Sequence, residues 1–479
     1  MNRRIGIAAA VVVSMLLSPA WAMAEETKSL RDVIFYSLTN NRTILFEQNQ
    51  RVGQKAELKL AEDKFTPKVN LVSAYRLTRI LLENQQAADN DSWSRVASIG
   101  PEMSLILPTG AKVEAAVLGK HVNDEDRWNS DEVDDLALAL TVRQPLLKGA
   151  GFQINNASIE QARFQEEANK LTLKALSNQA ITSVIFAYRD VIRAKLALRI
   201  AERNVLRSKD LLNGTRALIA AGRLAAADIT LSETSLYQKQ IALADAQAQL
   251  EKARATLLKT MGADLAGDID VSTEMDAGNV NLVLADAIEN ARQNNPVIAA
   301  QKYLIERTAK DVELAENDRL WDLSLIGGVG YGNVNGRING RNERTEIVAG
   351  MELVIPFNDL ASETREITAK TALKGARIQL AEIEAQVELD VRNAVTDVKS
   401  KWGQYELARR ARASAEQTLA DAVRRLSIGR ASNFEVQSLQ DDLNQTELNE
   451  LDAMIAYQNA LTDLDLRQGT TLDTWGISL

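Results

Sequence analysis

The chain is written twice, and the two copies keep register. Leu30-Arg31-Asp32-Val33-Ile34, ending at Asn40-Asn41, returns 254 residues later as Leu284-Ala285-Asp286-Ala287-Ile288, ending at Asn294-Asn295. Leu60-Ala61-Glu62-Asp63 returns at the same offset as Leu314-Ala315-Glu316-Asn317. Further on the offset falls to 211, where Pro145 matches Pro356, and then to 207, where Gly222 matches Gly429 and Gly262 matches Gly469. Solenoid units repeat every ~20–50 residues, so a period above ~200 is not a solenoid. It implies two similar halves of something larger, residues 25–270 and 271–479. The fall from 254 to 211 leaves the first half with 43 extra residues before Pro145.

Prolines divide each half. They stand at 19, 67, 101, 108, 145, 296 and 356, leaving 146–295 and 357–479 without one. A proline inside a helix costs ~3 kcal/mol, so these Ala-, Leu-, Gln-, Glu- and Arg-rich tracts read as helix. A continuous helix from Gln153 to about Ala220 would run ~100 Å, with a second from about Glu363 to Leu426. Ile229, Leu236, Leu243, Leu250 and Leu257 recur every seven residues, with Ser232, Lys239, Ala246 and Ala253 between them. That period implies a thin, left-handed coiled-coil seam. In the second half Val436, Leu443 and Leu464 continue the stripe, while Glu450 and Tyr457 read as breaks in it.

The proline-bearing stretches alternate instead. Val69, Leu71, Ser73, Tyr75 and Leu77 share one parity, as do Leu136, Leu138, Leu140 and Val142, and Ile347, Ala349, Met351, Leu353 and Ile355. Two-residue alternation over ~9–11 residues suits a tilted membrane-spanning strand. Each half therefore reads as helix, strand pair, long helix, turn, helix. The 43 extra residues have room for a hairpin from Met103 to Leu118, turning at Pro108-Thr109-Gly110. The acidic runs Asp124-Glu125-Asp126 and Asp131 to Asp135 read as an adjoining loop.

Residues 1–24 have the form of a secretory signal peptide: Arg3 and Arg4, an apolar run from Ile5 to Leu17, and Ala22-Met23-Ala24 before a mature start at Glu25. Loss of Arg3 and Arg4 takes the net charge from −9 to −11. Such a balance argues against nucleic acid or anionic lipid as main partner. No later stretch is long and apolar enough for a membrane-spanning helix. The absence of cysteine rules out disulfides and thiolate metal sites.

Catalytic candidates are few. His121 is the one histidine, beside a predicted loop, and reads as a solvated residue. Gly327-Gly328-Val329-Gly330-Tyr331-Gly332 lacks the Lys-Ser/Thr of a phosphate loop and lies in a strand pattern. The acidic runs lack EF-hand spacing. No enzyme, cofactor or metal site is expected. The turns at Gly222 and Gly429 are more informative, each followed six residues on by an acid, Asp228 and Glu435. Alone, such an acid is a weak helix-dipole partner. With three chains around an axis, Asp228 and Glu435 would ring one opening, and Asp441 and Asp442 would deepen its field.

The signal peptide, the duplicated helix–strands–helix–turn–helix order and Gly-x5-Asp/Glu at both turns resemble the TolC-like outer-membrane efflux family. Gln144-Pro145-Leu146-Leu147-Lys148-Gly149-Ala150-Gly151 also looks like that family's strand-to-helix junction. The resemblance implies an α+β membrane protein and a homotrimer. Each chain would give about four strands to a shared twelve-stranded outer-membrane β-barrel, and long antiparallel coiled-coil helices to a periplasmic α-barrel. It further implies docking, at the Gly222 and Gly429 turns, of a periplasmic adaptor coupled to an inner-membrane transporter. Passive export of drugs, ions, metabolites or secreted protein (type I secretion) would follow. Glu435 takes the place of an aperture acid; the usual second acid is replaced by Ser438, and Leu426 stands where some members carry a latching tyrosine. The competing reading is a non-conducting periplasmic coiled-coil scaffold or adaptor, which has no need of lipid-facing strands.

Overall fold

The computed structural model describes residues 27–82, 90–125, 130–275, 278–336 and 340–477; the segment read as a signal peptide lies outside them. Helices α1 (Leu30–Asn40) and α2 (Arg42–Glu62) lead into four strands, β1 (Lys68–Leu82), β2 (Asn90–Ile106), β3 (Lys112–Glu125) and β4 (Ser130–Pro145). Helices α3 (Phe152–Ala220) and α4 (Ala227–Met261) follow. The order then recurs with α5 (Leu284–Asn294), α6 (Pro296–Asp318), β5 (Asp322–Gly336), β6 (Gly340–Val354), α7 (Leu360–Ser427), α8 (Asn433–Gln468) and a terminal turn, α9 (Thr471–Thr474). The two long helices expected in the proline-free tracts are present, α3 with 69 residues and α7 with 68. Among the described residues no helix is long and apolar enough to cross a membrane.

Two compact units cut across the sequence halves. One takes residues up to Gln48, Leu173–Asn295 and Ala385–Leu479; the other takes Asn49–Thr172 and Pro296–Glu384. The first unit holds two cores built at matched positions. Val33 of α1, Val184, Ala187, Tyr188 and Val191 of α3, and Leu250 and Leu257 of α4 form one. Ala287 of α5, Val391, Ala394, Val395 and Val398 of α7, and Tyr457 and Leu464 of α8 form the other. Tyr457 is fully buried. It fills the seam rather than breaking it, because its ring packs on Trp402 (5.0 Å between centroids) and its hydroxyl donates to the Gly278 carbonyl at 2.9 Å.

All four helix ends just described close alike. Gly222, Gly262, Gly429 and Gly469 have φ between 71° and 82°. Each donates into the preceding turn, and the next residue donates back to a carbonyl five residues earlier, as Arg223 to Leu218 and Arg430 to Arg425. This is the left-handed cap that glycine adopts without a Cβ penalty.

The second unit holds one antiparallel sheet in the order β1-β2-β3-β4-β5-β6. The described strands number six per chain, not about four. β5 matches β1 at offset 254 and β6 matches β4 at 211, so β2 and β3 are the 43-residue excess. Their turn is the expected one: Leu107 donates to Ala111, Gly110 donates to Leu107, both at 2.8 Å, and Gly110 has φ 92°. The acidic runs are strand rather than loop. Asp124 and Glu125 end β3, and Glu132 to Asp135 lie in β4, opposite Asn123 to Lys120; Asp126 is outside the described residues.

Candidate channel wall and helix tips

Antiparallel partners point to the same side of a sheet, so the register sorts the side chains into two faces. One row runs Val69, Met103, Ala115, Leu140, Val329, Ile347 across all six strands. The neighbouring row, on the other face, runs Lys68, Ser104, Glu114, Thr141, Gly328, Val348. The first face continues through Leu71, Tyr75 and Leu77 of β1, Leu136 and Leu138 of β4, and Met351 and Leu353 of β6. The second carries Arg76, Glu102, Lys112, Lys120, Arg143, Arg344, Glu346 and Glu352. On the polar face Arg143 binds Glu352 at 2.6 Å and Asp322 at 3.4 Å.

The apolar face lies open in a single chain: Leu71 is 71% exposed and Ile347 79%. The apolar rows run from Val69 to Leu77, Leu136 to Val142 and Ile347 to Leu353; at ~3.4 Å per residue and a tilt of ~40° they give an apolar band on the order of 20 Å high. Outer-membrane barrels carry a band ~25 Å tall flanked by aromatic residues. Beyond it, towards the β1–β2 and β3–β4 connections, come Arg79 over the Trp93 ring (5.3 Å), Arg95 bound to Glu125 (3.1 Å), and His121 against Asp134 (2.7 Å). His121 is therefore a strand residue paired across β3–β4, not a loop residue.

A proline interrupts β2. Gly100-Pro101 has partners in β1 but none in the β3 register. A Cβ on Gly100 would overlap the Val117 carbonyl, so only glycine fits where the strands converge.

At the helix tips the structure treats the expected aperture acids unequally. Asp228 accepts a bond from the Ala225 amide (3.2 Å) and has no cationic partner among the described residues. Glu435 binds Arg425 of α7 at 2.6 Å, and Asp441 is ion-paired with Lys239 of α4. Asp442 is exposed. Leu426 packs with Leu419, Ala422, Val436 and Leu443, so that position holds core rather than a latch. Gly222 and Gly429 have open space where a Cβ would stand.

The composition gave no warning of a buried polar junction beside these turns. The Asn433 amide donates to Ser232 at 2.7 Å, and Thr215 donates to Asn433 at 3.3 Å, all three nearly inaccessible. It joins α3, α4 and α8. Lys239 also crosses from α4 to α8, so two polar positions of the thin seam are the places where those helices meet. Towards the tips, α3 and α7 leave a groove of about 1040 Å³ lined by Leu211, Leu218, Leu419, Val423 and Leu426, with Arg207 and Glu447 paired at 2.8 Å on its floor.

Known structures share this architecture over almost the whole chain. The Campylobacter jejuni CmeC outer membrane channel matches with a TM-score of 0.68 at 13% identity, over 98% of this chain and 94% of that one. The chain has the fold of the outer-membrane channels. The outer membrane protein VceC of Vibrio cholerae gives 0.68 at 15% identity over 92% and 96%, and the open state of the Neisseria gonorrhoeae MtrE outer membrane channel 0.66 at 15% over 92% and 88%. In sequence the chain is similar to the outer membrane efflux protein BepC of Brucella suis biovar 1 (strain 1330), 21% identical over 294 residues. That match spans 61% of this chain and 63% of BepC, less than two thirds of its length. No family model matches. The TolC-like fold implied by the sequence is thus the fold observed.

Proposed function

We propose that the chain is the outer-membrane channel of a tripartite export system, conducting passively and without chemistry of its own. The observation that carries this reading is the two-faced sheet. A band of apolar side chains the height of the hydrocarbon layer covers one side, while the other carries mostly charged, polar and small residues, with Leu118 and several valines among them. A scaffold confined to water has no use for that exposed apolar face. In lipid, every backbone group must be paired within protein, so the open β1 and β6 edges of the sheet require partners; a homotrimer sharing one barrel supplies them. The helices would then extend into the periplasm, where Gly222 and Gly429 offer open turns to a periplasmic adaptor linked to an inner-membrane transporter. Similarity to BepC, an outer membrane efflux protein, favours efflux of small solutes over secretion of protein.

Purified protein in planar bilayers is expected to pass current and to cross-link as a trimer; a detergent-free, non-conducting monomer would support the scaffold reading instead. We assign Asp228, Glu435 and Asp441 to the aperture, with Asp228 as its least compensated charge. The channel should prefer cations, and Asp228→Asn with Glu435→Gln should weaken the preference. Anion selectivity in the parent would remove the aperture assignment.

A further inference from the structure

We infer that β2 and β3 are transmembrane wall, so that three copies close an eighteen-stranded barrel rather than the twelve strands that two hairpins per chain would give. The inference rests on the channel reading and deepens it, because it sets the bore and hence the size of cargo. β2 and β3 have no counterpart in the second half, yet they lie inside the sheet, between β1 and β4. Removing them from the wall would strip both neighbours of their backbone partners. They also keep the sheet's polarity: Met103 and Val117 extend the apolar face, Glu102 and Glu114 the polar one.

The base of the inserted hairpin is built into the fold. Gly151 donates to the Thr109 carbonyl at 3.0 Å, Gln144 binds Thr109 at 3.1 Å, and Asn155 donates to Gly149 at 2.8 Å. A Cβ on Gly110 would overlap the Gly149 carbonyl, so the turn sits directly against the strand-to-helix junction. The insertion adds two strands, which keeps the count even. β1 and β6, 15 residues each, are the free edges and run in opposite senses. The β6 edge of one copy therefore meets the β1 edge of the next in antiparallel fashion, all around the ring. Barrel diameter grows roughly linearly with strand number. Eighteen strands make a bore about 1.5-fold wider than twelve and about twofold larger in section.

The chain lacks cysteine, so single introduced cysteines report cleanly. In proteoliposomes of the full chain, cysteines placed one at a time at residues 113 to 118 of β3 are probed with a membrane-impermeant maleimide. Labelling should alternate, at least several-fold stronger at Glu114, Ala116 and Leu118 than at Val113, Ala115 and Val117. Even labelling throughout, in a protein that conducts and forms trimers, would overturn the inference and leave the channel reading standing. A parent that neither conducts nor trimerises would overturn the channel reading first. Strand edges are tested separately by oxidising pairs of cysteines, one at Ser73 and the other at Ile347, Ala349 or Met351. Disulfide-linked trimers are expected from at least one pair, and monomers from every pair would overturn closure of β1 on β6. Cryo-electron microscopy then counts the wall: eighteen strands support the inference and twelve refute it.

Discussion

The two helical cores occupy matched positions, yet a tyrosine has changed helices between them. In the first core Tyr188 lies on α3 and faces Leu250 on α4; in the second, the matching residues are Val395 on α7 and Tyr457 on α8. Each hydroxyl reaches the backbone of the segment beside its own core, Tyr188 at Lys28 (3.0 Å) and Ser272 (3.3 Å), Tyr457 at Gly278. Burial pushes the Tyr188 phenol up to about 12, so it stays a donor throughout the ordinary pH range. The site needs one large ring and one smaller side chain, and either helix can supply the ring. What the duplication preserves is summed volume to within a methylene and a phenol bonded to backbone, not residue identity.

The largest effect is expected where that equivalence is backed by backbone. Gly262 is left-handed, and a Cβ there would overlap the Asn40 carbonyl. Gly262→Ala should therefore cost more than the ~1–2 kcal/mol of left-handed strain alone, on the order of 3–4 kcal/mol in all. Loss of helical circular dichroism in urea measures it. A cost below 1 kcal/mol would show that the α1–α4 contact yields.

Tyr188→Val should cost about 3–4 kcal/mol as a cavity with an unpaired carbonyl left behind. Leu250→Tyr should cost ~1–3 kcal/mol by overpacking. Combined, they rebuild the second core's arrangement in the first, and the double variant should be more stable than the sum predicts by ~1–3 kcal/mol. Simple additivity would break the claim that the two cores are interchangeable solutions.

A third contrast concerns charge. In α3, Arg189 is buried and donates to the Gln458 carbonyl (2.7 Å) and Thr462 (2.8 Å), and burial holds it down to about 10. Burial pushes Asp465 of α8 up to about 6, with the Thr474 hydroxyl and Arg189 opposing. The fold therefore keeps Asp465 protonated where the unfolded chain, at an ordinary 3.8, has already lost the proton. Stability from this group is greatest below pH 4 and is lost as pH rises to about 6. Asp465→Asn should thus stabilise by up to about 3 kcal/mol at pH 7.5 and by only a few tenths at pH 4. Equal effects at both pH values would sink this account.

Much of this organisation is legible in sequence because it rests on backbone rules. Long proline-free tracts became helices to within a few residues, and glycines at matched offsets became identical caps. The strand count was hidden because Gly100-Pro101 sits in the middle of β2, and because Asp124 and Glu132 to Asp135 are charged in the manner of loops. Charge is what the ends and polar face of a wall strand require, but only the pairing register shows which residues those are. Tyr457 was hidden for a related reason: a heptad read by residue type cannot see that a phenol will find a carbonyl. The partners of Glu435 and Asp441 lie on other helices, so no local pattern could name Arg425 or Lys239.

The smallest contrast lies at the two tips, which share a glycine turn but begin their second helices differently. At the second tip Ser432 accepts from the Glu435 amide at 3.0 Å, which frees the Glu435 carboxylate to hold Arg425. At the first tip the matching position is Ala225, and Asp228 must turn its own carboxylate back to the Ala225 amide. Ser432→Ala should therefore cost ~1 kcal/mol and draw Glu435 away from Arg425. Ala225→Ser should gain a few tenths to ~1 kcal/mol and release Asp228 towards solvent, strengthening cation preference in bilayers. Both positions are exposed, and the changes should leave the proposed trimer intact. If Ala225→Ser leaves selectivity unchanged while stabilising the tip, Asp228 caps a helix and does nothing more.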